Sequence, residues 1–351
     1  MITHKEKKLS LFKRLKKKIL FWLHLTNDPV IKLYHGYGND EKIIVFGHVL
    51  CLSSLPRKKY KKNFFNNTYG LLRLFMVKRY VNVSLSLQWD GITYEAKTQD
   101  DGFFKFEWSP ENPITPGWHP VKVRLLHPGV YVKPVEILGE FFIPYKYEFA
   151  FVSDIDDTFL ISHSSRLRKR LYVLFTKNAR SRKPFEGVVN HYQLLANSGT
   201  SSNTHNLFFF VSSSEWNLYD YIFEFAKTNK LPKGIYLLNQ LKTFRQVFKT
   251  GQNNHKTKFM RISRIMETYP HQKFILLGDD SQEDPNIYAA IVEHFPQNIY
   301  AVYLRHVLKS SHERVKGIVE KIKATGVLCC YFTHSSEAVI HSKQIGLIAK
   351  N

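Results

Sequence analysis

Three aspartates, Asp154, Asp156 and Asp157, crowd into four positions directly after the apolar run Phe149-Ala150-Phe151-Val152, and Thr158 follows them. Carboxylates this close raise one another's pKa unless a cation intervenes, so the cluster itself argues for a bound metal ion. Three further groupings follow in order. The run Phe208-Phe209-Phe210-Val211 ends in Ser212, Ser213 and Ser214; a basic helical stretch carries Lys256 and Lys258; and Leu276-Leu277-Gly278 ends in Asp279 and Asp280, with Asp284 close behind. Together these residue types suit phosphoryl transfer assisted by Mg²⁺, which needs a carboxylate nucleophile, an acid/base, oxygen ligands for a hard cation and donors for the phosphoryl oxygens. On this reading Asp154 is the nucleophile. Asp156 is the acid/base, with its backbone carbonyl turned to the metal. Ser212 is the hydroxyl donor, Lys256 neutralises charge on the nucleophile and phosphate, and Asp279 is a metal ligand. Ser213 and Ser214 are alternatives to Ser212, as Lys258 is to Lys256. Asp157 reads as a cap on the following turn, and His255 as a structural or exposed residue.

Every one of these clusters falls where an apolar segment stops. After residue 148 the sequence alternates apolar strands with helical stretches: 188–196, 215–229, 255–270 and 286–295 read as helices between strands at 149–153, 206–214, 233–239, 273–280 and 298–307. Such alternation predicts a doubly wound parallel sheet with helices on both faces, and ligands in such folds bind at the carboxyl ends of the strands. The preceding stretch has a different grammar. Val81, Val83, Leu85, Leu87 and Trp89 alternate with Asn82, Ser84, Ser86 and Gln88, Asp90-Gly91 and Asp101-Gly102 mark turns, and Val121, Val123 and Leu125 alternate again. This pattern predicts a small β-sandwich. The expected division is a basic amphipathic segment over 1–28, the β-sandwich over 29–147 and an α/β domain over 148–351.

The four clusters, in this order and at strand ends, resemble the motifs of the haloacid dehalogenase-like phosphatases: DxDx[TV] at Asp154-Ile155-Asp156-Asp157-Thr158, the strand-end Ser212, the helical lysine and Gly278-Asp279 through Asp284. A narrower resemblance rests on "VSDIDDT", "FFVSSSEWNLYD", "LPKG", "HKTKFMRI" and "LLGDDSQEDPNIYA", with "HGYGND", "FGHVL" and "TQDDGFF" in the β region. These stretches resemble the phosphatidate phosphatase family whose founding member associates with actin patches, in the bacterial form with a β domain ahead of the catalytic one. The resemblance covers residues 30–310. It implies hydrolysis of phosphatidate to diacylglycerol and phosphate, with Mg²⁺ held by Asp154, Asp156 and Asp279 and with Thr158, Asp280 and Asp284 behind them. Its "HK" match favours Lys256 over Lys258. Where the family is expected to read Gly-Asp-Ser-Gly-Gln, this chain has Asp280 after Asp279, an added charge beside the metal ligands.

The charge balance is consistent with an anionic partner. The chain of 351 residues carries a formal net charge of +22. Eight Lys/Arg and no acid lie between Asp157 and Glu186, and ten Lys/Arg and no acid between Glu224 and Glu267. In the first of these stretches Arg166, Arg168, Lys169 and Arg170 interleave with Leu167 and Leu171, a pattern suited either to an anionic phospholipid substrate at a membrane surface or to a helix that packs its apolar side on the domain and solvates its charges. The N-terminal stretch sets Phe12, Leu15, Ile19, Trp22 and Leu23 at helical spacing among lysines, which suits either a lipid surface or packing on the protein itself. No apolar run reaches the roughly 18–20 residues a membrane span needs. Three cysteines without a CxxC pair point to a reducing compartment, hence a cytoplasmic protein peripheral to the membrane. Nucleotides or nucleic-acid ends are an alternative substrate class that the basic charge allows, and a non-catalytic adaptor for anionic surfaces is a third reading.

Overall fold

The computed structural model describes residues 28–52, 78–126, 134–145, 149–156, 158, 184–200, 205–240 and 254–349. The N-terminal basic segment, Asp157, and Arg166, Arg168, Lys169 and Arg170 lie outside them. Two sheets divide the described chain. The first holds nine strands: β1 (Val30–Leu33), β2 (Gly36–Gly38), β3 (Ile43–Leu52), β4 (Lys78–Arg79), β5 (Ser84–Trp89), β6 (Ile92–Lys97), β7 (Phe103–Trp108), β8 (Gly117–Leu125) and β9 (Glu136–Ile143). Their order is β1-β3-β2-β9-β8-β5-β6, with β4 and β7 also paired to β3, and all but the β2–β9 pair are antiparallel.

The strand read over 81–89 begins at Ser84, and Leu85 and Leu87 are buried as the alternation predicts, but Ser86 between them is buried too. The alternation fails at Val81, which is 44% exposed, because Asn82 takes a left-handed backbone (φ 53°) just before the ladder begins. Asp90 and Gly91 both have positive φ (49° and 75°), the backbone of a two-residue type I′ hairpin, and they join Trp89 to Ile92. Gly47 lets β3 approach two neighbours at once. A Cβ there would stand 2.2 Å from the Lys32 carbonyl and 2.7 Å from the Phe104 ring.

The second sheet has six parallel strands: β10 (Phe149–Ser153), β11 (Leu207–Glu215), β12 (Ile235–Asn239), β13 (Lys273–Asp279), β14 (Ile299–Arg305) and β15 (Leu328–Phe332). Between and after them lie α1 (Val188–Ala196), α2 (Tyr219–Thr228), α3 (Asn254–Thr268), α4 (Asp284–His294), α5 (His312–Ala324) and α6 (Ser335–Gln344). A 3₁₀ turn, Trp216–Leu218, precedes α2, so the segment read as one helix from 215 begins as a tighter turn. The strand order β12-β11-β10-β13-β14-β15 runs outward from β10 in both directions. A sheet ordered this way opens a crevice at the carboxyl ends of its central strands. Those ends are Asp154 after β10, Ser212–Ser214 in β11 and Asp279 in β13.

The two sheets share one buried cluster. Tyr34, Tyr37, Phe46 and Phe142 of the first pack with Phe209, Trp216, Tyr219 and Tyr269 of the second. Tyr34 stacks on Trp216 with ring centroids 4.0 Å apart, and Trp216 and Tyr219 are each only 8% exposed. Both therefore belong to the core and not to a lipid-facing surface. Lys32 pairs with Asp220, and the Asn39 amide donates to the Thr268 carbonyl at 2.7 Å.

Two histidines are sealed into this interior. Nδ1 of His48 faces the Tyr34 hydroxyl at 3.0 Å while its Nε2 has no partner among the described residues, and Nε2 of His191 lies 3.0 Å from Ser342 Oγ. Burial pushes both pKa values down to about 3, helped by Lys32 and Arg79 at His48 and by Arg305 and His341 at His191. The unfolded chain therefore binds more protons than the folded one between about pH 6.5 and 3. Stability is complete above that window and is lost as pH falls through it. His48→Gln is expected to flatten the fall of the urea midpoint between pH 6.5 and 4, corresponding to a few kcal/mol at the acid end. An unchanged pH profile would show that the ring is already protonated in the fold.

Candidate active site

Asp154 follows β10 directly, and its backbone N–H donates to the Leu277 carbonyl of β13 at 2.8 Å. That bond holds the Asp154 side chain beside the end of β13, where Asp279 sits. Asp154, Asp279 and Asp284 each bring a carboxylate oxygen within 4.8 Å of the others, and all three are buried. Asp284 reaches the cluster as the first residue of α4. Gly278 makes room for it: a Cβ at 278 would stand 2.8 Å from Asp284 Oδ2 and 2.7 Å from the Tyr288 ring.

One cation is already built in. Lys258 Nζ donates to Asp154 Oδ1 at 2.6 Å and also to Asp284 Oδ1. Burial would lower the pKa of Lys258, but the two carboxylates outweigh it and raise it, so the ammonium stays charged. For Asp154 burial is the largest influence and raises its pKa; Lys258 works against this, while Asp284, Asp279 and Asp156 add to it. Thr158 Oγ1 lies between two of the carboxylates, 3.0 Å from Asp279 Oδ2 and 3.4 Å from Asp154 Oδ2. The Ser281 N–H donates to Asp279 Oδ1 at 2.5 Å.

Lys258 and the Thr158 hydroxyl do not exhaust the carboxylate oxygens. Asp284 Oδ2 is buried without a hydrogen-bond partner among the described residues. A buried orphan acceptor beside two further carboxylates fits a hard divalent cation, which takes oxygen ligands. Asp154, Asp279 and Asp284 could hold one.

Asp156 stands apart from that triad through its side chain. Its Oδ2 accepts from Ser212 Oγ at 3.0 Å and from Ser214 Oγ at 2.7 Å, and Ser212 Oγ in turn accepts the Ser214 N–H at 2.9 Å. Both serines at the end of β11 therefore meet the same carboxylate, and Ser213 does not.

Several expectations need correction. Lys256 is exposed, and the lysine against Asp154 is Lys258. On α3, Lys258 leads the buried stripe of Ile262, Ile265 and Met266, whereas position 256 lies roughly 200° around the helix from it. Asp284, expected behind Asp154 and Asp279, brings its carboxylate within 4.8 Å of theirs, and the carboxylate of Asp156, the residue expected to turn its backbone carbonyl to the metal, faces the serines. Asp280 does not crowd the metal ligands. Its Oδ1 accepts the Val307 and Leu308 N–H groups at 2.7 and 2.9 Å, and its Oδ2 meets Tyr331 OH and His306 Nδ1 at 2.6 Å each. Burial alone would raise the Asp280 pKa; these donors hold it below the usual carboxylate range.

Two arginines escaped the sequence reading. Arg305 ends β14, donates to the Thr158 carbonyl at 3.3 Å and to Ser335 Oγ at 2.8 Å, and so holds the backbone of Thr158 in place. Arg261, one turn beyond Lys258, donates to the Ser212 carbonyl at 3.4 Å and to Asn239 Oδ1 at 3.2 Å. A charged residue closing an apolar strand was a usable signal for Arg305, as it was for Asp279. For Arg261 the signal was its place on the edge of the buried helical stripe.

Comparison with known proteins converges on the same stretch. Residues 149–306 match the family model described as "Phosphatidate phosphatase APP1, catalytic domain". A Saccharomyces cerevisiae protein named phosphatidate phosphatase APP1 is 28% identical over 160 residues, which cover 45% of this chain and 26% of that protein. An uncharacterized Schizosaccharomyces pombe protein is 23% identical over 159 residues, 45% of this chain and 25% of that one. The aligned part thus spans about a quarter of the length of these curated relatives. Among solved structures, a carbohydrate acetylesterase from Xanthomonas citri aligns over 91% of this chain and 75% of its own at 8% identity, with a TM-score of 0.33, too low for a shared fold.

Proposed function

We propose, from the match of residues 149–306 to the catalytic-domain model of phosphatidate phosphatase APP1, that this chain is a Mg²⁺-dependent phosphatase that hydrolyses phosphatidate at a membrane surface. The observation that carries the reading is the buried Asp154–Asp279–Asp284 triad, with Lys258 against it and Asp156 beside it on the serines. The six-stranded parallel sheet, ordered outward from β10, suits the haloacid dehalogenase-like, doubly wound architecture of such enzymes.

Asp154 attacks phosphorus, the P–O bond to the leaving alcohol breaks, and an aspartyl-phosphate forms. Asp156 gives its proton to the departing alkoxide. Asp156, now a carboxylate, takes a proton from water as that water attacks phosphorus, which releases phosphate and restores Asp154. Ser214 can keep Asp156 in place while Ser212 turns its single proton to a phosphoryl oxygen. Lys258 holds Asp154 and offsets charge near the phosphoryl group. A divalent cation held by Asp154, Asp279 and Asp284 supplies Lewis-acid neutralisation of the phosphoryl oxygens.

Phosphate release from phosphatidate in mixed micelles tests the reading. Turnover is expected with Mg²⁺ and is expected to vanish after chelation and return on adding Mg²⁺ back. Mg²⁺-dependent release from soluble phosphate esters but not from phosphatidate would keep the chemistry and move the substrate elsewhere. Release from neither would overturn the enzymatic reading. No described helix is long and apolar enough to cross a membrane, so on this proposal the lipid is met from the surface.

A further inference from the structure

Arg261 is a cation whose partners among the described residues, the Ser212 carbonyl and the Asn239 side-chain oxygen, are both neutral. Among the described residues no carboxylate pairs with it. Burial and the positive charge of Arg264 both push its pKa down, so the site works against its charge and supplies nothing negative in return. The sequence offers no remedy nearby, because residues 225–266 contain neither Asp nor Glu. Arg261 is half-buried, and a guanidinium left with two neutral acceptors still has N–H donors to place.

Its position says what the missing partner is. Arg261 bonds the carbonyl of Ser212, whose hydroxyl bonds Asp156, and it lies one helical turn from Lys258, which bonds Asp154. It therefore stands at the carboxyl ends of β11 and β12, on the side of the site away from Asp279. Guanidinium groups bind phosphate oxygens in a two-pronged geometry that an ammonium cannot copy. We propose that Arg261, with Asn239 beside it, is the anion-receiving group of this site and binds phosphate oxygens of the ligand. The inference deepens the phosphatase reading and rests on it only for the identity of the phosphate's carrier.

The probe is inorganic phosphate, titrated calorimetrically into the whole chain in Mg²⁺ buffer. Arg261→Gln is expected to weaken phosphate binding at least tenfold, and to raise KM for a phosphate ester more than it lowers kcat. Arg261→Lys, which keeps the charge but not the fork, is expected to fall between. Phosphate affinity of Arg261→Gln within twofold of the parent, or a parent chain that binds no phosphate, overturns the proposal. A merely structural arginine would instead lower the urea midpoint and leave the phosphate affinity alone. If Arg261→Gln does not fold, Arg261→Lys carries the test, with threefold or greater weakening expected and unchanged binding overturning it. Phosphatidylcholine vesicles with and without phosphatidate separate the two sources of phosphate. A phosphatidate-dependent binding increment that Arg261→Gln abolishes assigns the anion to the lipid headgroup. An intact increment alongside lost phosphate binding assigns it to free phosphate. Weakened phosphate binding in a chain that does not hydrolyse phosphatidate keeps the anion site and sinks the substrate. Normal hydrolysis with unchanged phosphate binding in Arg261→Gln does the reverse.

Discussion

Asp154→Asn is expected to lower phosphate release at least 1000-fold, a barrier increase of about 4 kcal/mol. The substitution keeps the size and shape of the side chain but removes the proposed nucleophile. An amide oxygen can still accept from Lys258, yet it carries too little charge to attack phosphorus. The fold should survive, since Lys258 keeps its second partner Asp284 and the backbone bond from residue 154 to Leu277 is untouched. The check is kcat for the variant beside a urea unfolding curve. Turnover within tenfold of the parent, from a folded variant, would remove Asp154 from the nucleophile's role.

The second large effect concerns the two lysines. Lys258→Met in Mg²⁺-free buffer at neutral pH is expected to cost about 3–5 kcal/mol of stability, the range for breaking a buried ion pair from one side. Asp154 and Asp284 would then be buried with no counter-charge. Lys256→Met, at an exposed position, is expected to stay within roughly 0.5 kcal/mol. The sign with pH follows from the same charges: the raised lysine pKa keeps it protonated at neutrality, and the penalty shrinks on acidification as the stranded carboxylates take up protons. Mg²⁺ should return part of the loss, because a cation bound by the triad replaces the missing positive charge. Equal midpoints for the two variants, measured by urea unfolding, would refute the assignment of Lys258 to the site.

Asp280 shows how context changes a charge. By sequence it adds a negative charge beside a metal ligand. In the fold, the two backbone N–H groups of 307 and 308, a tyrosine hydroxyl and His306 take it up. The carboxylate serves to tie the end of β13 to the loop after β14.

Where the acidic and serine clusters fall along the chain follows from residue order alone. Apolar runs that end in Asp154, Ser212 and Asp279 can be read without a structure, because a buried strand must stop where charge begins. The parallel order was also legible, since strands separated by helices pair in parallel, and so was the 90–91 turn, since both residues there must tolerate positive φ. Tertiary structure alone decided which side chains share the site. Asp284 comes from the start of a helix and Asp156 turns to the serines, both set by how β10, β11 and β13 lie side by side. Lys258 displaces Lys256 because the apolar stripe of α3 fixes the helix's rotation against the sheet. Arg261 and Arg305 acquire their meaning only there too: a charge on a helix edge or at a strand end is ordinary in one dimension, and becomes a site when distant strands bring their ends together.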